Sequence, residues 1–256
     1  MTTLDLDHIA RWFRRERPKR LPVDNVMELY FTFHPRIAFL KTLPEAAEVV
    51  DIGAGDGSLS VFRSWPAPAR PDLKLYAYSL EKGEHFDKFD GFAVGDWNTS
   101  PPDFDGRRFD AILCAHFIEH IADPLSLVAW AREKLRPGGR IYLEWPSPHS
   151  LDLPRRGELE AAGIPMIISH FHDDGTHRDL PDREVVRDGY VRAGFVIEAE
   201  GIVRLPWLED EMLAHFRDAE DGFARQAAFW SFTNWSQYLV ISKPHAVAAA
   251  PEGSVS

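Results

Sequence analysis

Ten residues constrain this chain more than any others: Val49-Val50-Asp51-Ile52-Gly53-Ala54-Gly55-Asp56-Gly57-Ser58. A short β-branched strand ends in an acid and runs at once into three glycines at alternate positions. Glycine lets a backbone turn tightly and come close to a ligand. In an open parallel sheet, ligands sit beyond the carboxyl ends of the strands, where the strand order reverses. A phosphate-cradling loop needs Gly-Lys-Ser/Thr, and the chain has no such triplet. A dinucleotide fingerprint puts its third glycine where Ser58 stands. Here the third glycine comes one step early, at Gly57.

The flanking segments predict an α/β fold, a doubly wound and mostly parallel sheet. Strands are expected at Glu48–Ile52, Leu73–Ser79, Gly91–Val94, Phe109–Ala115 and Arg140–Trp145, with helical stretches between them. Pro124–Leu135 is the clearest helix, and Arg136-Pro137-Gly138-Gly139 is its stop signal. Helical spacing over Asp5–Leu43, cut by Pro18, Pro22 and Pro35, predicts a helical cap over residues 1–45. The main domain then spans 46–243. Within it, residues 146–181 are rich in Pro, His, Asp and Gly, a length of loop that is usually functional or disordered. Asp182–Ala193 and Glu209–Ala228 read as helices, and Phe195–Val203 and Gln237–Ser242 as strands. Residues 244–256 read as a disordered tail.

The Gly-x-Gly-x-Gly spacing, with Asp51 two residues before it, resembles the first motif of the class I methyltransferases, whose cofactor is S-adenosyl-L-methionine. Phe109–His120 resembles the fourth-strand motif of those enzymes, and Leu135–Ile141 a frequent family mark. Asp96-Trp97 is similar to the acid and apolar neighbour that meet the adenine. The resemblance covers about residues 46–243. It implies a seven-stranded, Rossmann-like sheet with a reversed last strand. It also implies cofactor contacts at Asp51, Gly53, Gly55, Gly57, Asp96, Trp97 and Ala115. One departure stands out. The second strand of the family ends in an acid that holds the ribose, whereas Ser79 stands here. Glu81, helped by Ser79, is expected to replace it.

Six of the 11 histidines lie between Cys114 and Arg178. His116 follows the fourth strand, on the edge where the family presents the methyl group. The string His170–Arg178 resembles a segment of methyltransferases encoded near polysaccharide genes. His116, His172 and His177 are therefore expected to provide the base, since histidine has an unperturbed pKa near 6.5. The spacing fits no common zinc pattern, so no metal is expected, with a metal-binding loop as the rival reading.

Composition limits the remaining choices. The 256 residues, 45% of them hydrophobic, suffice for a sizeable core. A net charge of -11 argues against a non-specific nucleic-acid binder. The basic run at residues 11–20 reads as a solvated helix face or a clamp for an anionic substrate. A lone cysteine, Cys114, excludes an internal disulfide. No apolar run is long enough for a bilayer, and the N-terminus does not read as a secretory signal. The expectation is a cytoplasmic O-methyltransferase for a small polar acceptor, with a sugar hydroxyl as one candidate, and no nucleic-acid or membrane partner. The alternatives are N-methylation or a degenerate cofactor-binding partner protein. Oligomeric state is left open.

Overall fold

The structure, a computed structural model, describes residues 4–245. Three helices open the chain: α1 (Leu6–Arg14), α2 (Val23–Phe33) and α3 (Pro35–Lys41). Asp5 caps α1, its carboxylate accepting from the His8 amide at 2.9 Å. This satisfies one of the free amides of the first turn. Pro35 starts α3 at a position where a missing N–H costs nothing.

The strands are β1 (Glu48–Ile52), β2 (Lys74–Ser79), β3 (Gly91–Val94), β4 (Phe109–Ala115), β5 (Leu135–Pro146), β6 (Val196–Ile202) and β7 (Ser236–Ser242). They form one sheet in the order β3-β2-β1-β4-β5-β7-β6. β7 runs antiparallel to both β5 and β6, and the other pairings are parallel. This is the expected reversed last strand, inserted beside β5. The chain leaves β1 toward β2 and later returns to lay β4 on its other side. The carboxyl ends of β1 and β4 therefore flank the switch point.

The later helices are α4 (Ser126–Lys134), α5 (Arg156–Ala161), α6 (Arg183–Arg192), α7 (Pro206–Phe216) and α8 (Phe223–Thr233). Alternate strand residues face opposite sides of the sheet. Val50, Ile52, Ile112 and Ile141 join Leu127, Ala131, Val186 and Tyr190 of α4 and α6 in one core. Val49, Ala111, Leu113 and Tyr142 meet Ile37, Phe39 and Leu40 of α3 in another. Burying Ile37 and Leu40 stabilises the fold by about 1.5–3 kcal/mol each. The N-terminal helices are thus divided. While α3 lies on the sheet, α1 and α2 share a third core with α7 and α8.

Three expectations need correction. The helix after the glycine turn is only a 3-10 stretch, Ser58–Arg63, and the β2–β3 and β3–β4 links also carry only 3-10 turns. Pro66, Pro68 and Pro71 follow closely and cannot donate to a helix ladder. The Arg136-Pro137-Gly138-Gly139 stop already belongs to β5, which begins at Leu135. A Cβ on Gly139 would lie 2.9 Å from the Asp110 carbonyl oxygen, so only glycine lets β5 pass β4 there. The single helix expected over Glu209–Ala228 is two, α7 and α8, packed on one another.

Part of the basic run after residue 10 is engaged within the fold. Arg15 and Arg17 converge on Asp210 of α7 at 2.6 and 2.7 Å. Arg14 donates to the Ala162 carbonyl at 2.6 Å. No helix among the described residues is long and apolar enough to cross a membrane. The tail expected over 244–256 lies outside the described residues from position 246 onward.

Candidate active site

A cavity of about 670 Å³ opens at the carboxyl edge of β1, β2 and β4. Gly53, Gly55, Ser79, Asp96 and Trp97 line it, joined by His116, His120 and His177. These residues lie at five separate points of the sequence, and the parallel sheet gathers them. Gly55 has φ +56°, and a Cβ there would meet no atom within 4 Å. That turn borders open space, which is the room a closely approached ligand requires. Tyr78 stiffens the opposite wall by donating to the Gly95 carbonyl at 2.8 Å. Trp97 is held by an indole N–H bond to Ser126 Oγ at 2.8 Å. Asp96 turns the chain by accepting from the Asn98 amide at 2.9 Å.

Four expected cofactor residues do not line this cavity. Gly57, at φ +85°, turns beneath Phe86 and His85. Asp51 is buried at the end of β1, and burial pushes its carboxyl up to about 7. Ala115 ends β4 one residue before the cavity wall. Glu81 is exposed two residues past β2 and stands outside the lining, whereas Ser79 is part of it. The turn after β2 carries Glu81 outward because Gly83 closes against the glycine loop; a Cβ there would lie 2.5 Å from the Gly55 carbonyl oxygen.

His116 occupies a left-handed position, φ +53°. Its amide donates to the Glu144 carbonyl at 2.8 Å, which holds the chain end of β4 against β5. One ring nitrogen, Nδ1, lies 3.3 Å from Glu119 Oε1, and the other, Nε2, lies 3.1 Å from Glu144 Oε1. Burial alone would lower its pKa, but the two carboxylates outweigh it and push it up to about 9. Both ring nitrogens of His116 thus face carboxylates that favour the protonated ring, whereas a base needs a free lone pair. Glu144 also accepts from the Tyr142 hydroxyl at 2.6 Å. Burial would raise the Glu144 carboxyl, yet the His116 hydrogen bond and the charge of half-buried Arg36 hold it well below the ordinary range.

The histidine loop folds back onto the end of β4. The Arg178 amide donates to the Glu119 carbonyl at 2.9 Å, and the Arg178 guanidinium to the His120 carbonyl at 3.0 Å. Thr176 donates its hydroxyl to Asp174 at 2.6 Å, so its oxygen accepts from His120 Nδ1 at 2.9 Å. His177 donates from Nδ1 to the Phe171 carbonyl at 2.5 Å. Burial lowers the His177 pKa, which favours the neutral ring. His120 and His177 therefore both keep Nε2 as the nitrogen without a hydrogen bond among the described residues. His172 does not join them. It is exposed, ring to ring with His170, and outside the cavity lining. A hydrogen bond from its amide to the His170 ring turns this short 3-10 segment outward.

A second cavity, about 460 Å³, continues from the first through His116, His120, Gly175 and His177. Its far wall includes Trp230 and Trp235, stacked with centroids 4.7 Å apart, together with Arg156 and Asp173. Trp230 Nε1 is a buried donor without a partner among the described residues. Below lies a small void of about 50 Å³ reached by Tyr30, His34 and Arg36 of the N-terminal helices. The sequence reading missed Glu144, His34 and Arg36, and held Thr176 only within the His170–Arg178 string. Glu119 was visible only as part of the Phe109–His120 segment. Nothing local distinguishes Glu144 from an ordinary strand residue.

The profile of a family described as a methyltransferase domain matches residues 13–200. An enzyme of Xanthomonas campestris pv. campestris, named ubiquinone biosynthesis O-methyltransferase, is 30% identical over 190 residues, 66% of this chain and 73% of that protein. A protein of the same name from Actinobacillus pleuropneumoniae is 26% identical over 102 residues, 37% of this chain and only 44% of its own length. In fold, the chain is similar to phosphoethanolamine N-methyltransferase 2 of Haemonchus contortus, solved with S-adenosyl-L-methionine. That likeness has a TM-score of 0.51 at 15% identity and covers 86% of this chain and 56% of the other. The sheet order with its reversed strand, the open glycine turn and the family match agree: this chain belongs to the S-adenosylmethionine-dependent methyltransferases of class I.

Proposed function

We propose that the protein O-methylates a small hydroxyl-bearing molecule held in the histidine- and tryptophan-lined cavity. The observation that carries this reading is the continuity of the two cavities through His116, His120, Gly175 and His177. Gly53, Gly55, Ser79, Asp96 and Trp97 would hold S-adenosyl-L-methionine in the first. When bound, it supplies an electrophilic methyl group on a sulfonium. The chain's own task is to hold the acceptor in line and help its proton leave. Alignment of two reactants supplies about 7–11 kcal/mol in favourable cases. A positioned proton acceptor contributes a further factor of about 10²–10⁴.

Proton removal falls to the Nε2 side of His120 and His177. The imidazolium of His116 instead braces the wall between the cavities. The stacked tryptophans offer a flat apolar face, and the unpartnered Trp230 indole N–H suits an acceptor oxygen. The relatives' name supports oxygen as the acceptor atom and lends nothing to a sugar. A buried, unpaired Cys114 agrees with the cytoplasmic setting expected from the sequence.

Turnover of hydroxyl-bearing candidates, with the methylated atom identified by NMR, tests this reading. O-methyl product is expected, and His177→Ala should lower its rate at least tenfold while S-adenosylhomocysteine affinity holds. Methylated amines as the sole products would establish the N-methyl alternative. An absence of product from every acceptor would favour the degenerate one.

A further inference from the structure

We propose that Glu119, His120 and His177 bind a divalent transition-metal ion where the two cavities meet. One candidate ligand atom from each of the three lies within 4.8 Å of the others. Two imidazoles and one carboxylate form a familiar set for zinc and for other divalent metals of its class. The inference deepens the O-methylation reading, and rests on that reading only for the metal's use in catalysis.

Two independent features point to a cation. The first is Glu119. Its side chain is fully buried, and Oε1 faces His116. Oε2 is buried without any partner among the described residues. A carboxylate oxygen left idle away from water is costly unless something positive meets it. The second is the state of the two rings. Metal-binding histidines use one nitrogen for the metal and donate the other N–H to a carbonyl or an acid-anchored acceptor. His177 donates from Nδ1 to the Phe171 carbonyl. His120 donates from Nδ1 to Thr176, whose own proton is committed to Asp174. Both rings are thereby fixed with the Nε2 lone pair free.

Metal–ligand bonds of about 2.0–2.2 Å require ligand atoms closer than 4.8 Å. Loading therefore draws the three side chains inward by roughly an ångström. Three protein ligands leave open positions on the ion, as catalytic metal sites do. An acceptor hydroxyl bound there would have its pKa lowered. In the loaded protein the two rings would be ligands and take no proton themselves, so the ion would replace them in promoting loss of the acceptor proton to solvent water.

Titrating the chelator-stripped, full-length protein with Mn²⁺, and separately with Zn²⁺, by calorimetry tests the site directly. One ion per chain is expected. His177→Ala and Glu119→Gln should each weaken binding at least tenfold. Asp174→Asn, which acts through Thr176 and His120, should weaken it by about 10–100-fold. Glu119→Gln preserves shape and serves as the deciding variant if a histidine substitution unfolds, with circular dichroism as the check. No saturable uptake of either ion by the wild type would overturn the site, as would wild-type affinity in Glu119→Gln. O-methyl transfer in a protein that takes up no metal would retain the proposed function and sink this inference. Metal uptake without O-methylated product would do the reverse.

Discussion

Thr176 Oγ1 sits 2.9 Å from His120 Nδ1, so a loop residue 56 positions downstream decides which nitrogen of that histidine is free. The hydroxyl proton of Thr176 is given to Asp174, which leaves its oxygen able only to accept from the ring. This contact turns a polar loop into part of the active-site wall.

Replacing Thr176 by Val keeps the side-chain volume and removes the hydroxyl. The His120 ring should then lose its single tautomer, visible as averaged imidazole nitrogen shifts in a proton–nitrogen spectrum. Acceptor turnover should fall about tenfold, with S-adenosylhomocysteine affinity little changed. An unaltered His120 spectrum would show that the loop does not set the tautomer.

Gly55→Val should cut S-adenosylhomocysteine affinity by at least tenfold in calorimetry. A Cβ at Gly55 enters open cavity, so the loss comes from the space it occupies. The left-handed φ of +56° adds roughly 1–2 kcal/mol of backbone strain. A melting temperature recorded alongside separates that strain from the loss of ligand.

Ser79→Ala should weaken the same ligand by about 0.5–1.5 kcal/mol, the usual worth of one neutral hydrogen bond. Glu81→Ala should leave affinity within about twofold, because Glu81 stands exposed and outside the cavity lining. A large loss in Glu81→Ala would mean that the turn after β2 closes over the ligand.

The His116 charge should make stability fall on the alkaline side. Its folded pKa, about 9, lies above the ordinary 6.5. The imidazolium therefore contributes fully below about pH 6.5, and its contribution is lost as pH rises through about 9. Urea unfolding followed between pH 6 and 10 should show that decline. In Glu144→Gln the decline should begin at lower pH, since one of the two carboxylates that hold the proton is gone. An NMR titration placing His116 near 6.5 in the wild type would contradict the assignment.

The first five strands were legible because each is a short apolar run bounded by punctuation that carries its own mechanism. β1, β3 and β4 begin and end where their residues predict. The glycine turn was legible for the same local reason, since alternate glycines after a strand admit few conformations. The helices between β1 and β4 were overestimated: prolines interrupt the β1–β2 and β3–β4 links, and all three links carry only 3-10 turns.

The sequence by itself determined the fold class, the glycine turn and the presence of a histidine-rich loop after the fifth strand. These are properties of neighbouring residues, so spacing and propensity suffice to read them. Only the tertiary structure decided which histidines act together. It separated exposed His172 from His177 and brought His120 to Thr176. It also set His116 between the carboxylates of Glu119 and Glu144. Those outcomes depend on burial and on charges contributed from β5 and from the folded-back loop. A side chain's protonation and tautomer follow from whatever surrounds it in space, and no local pattern in the chain encodes those surroundings.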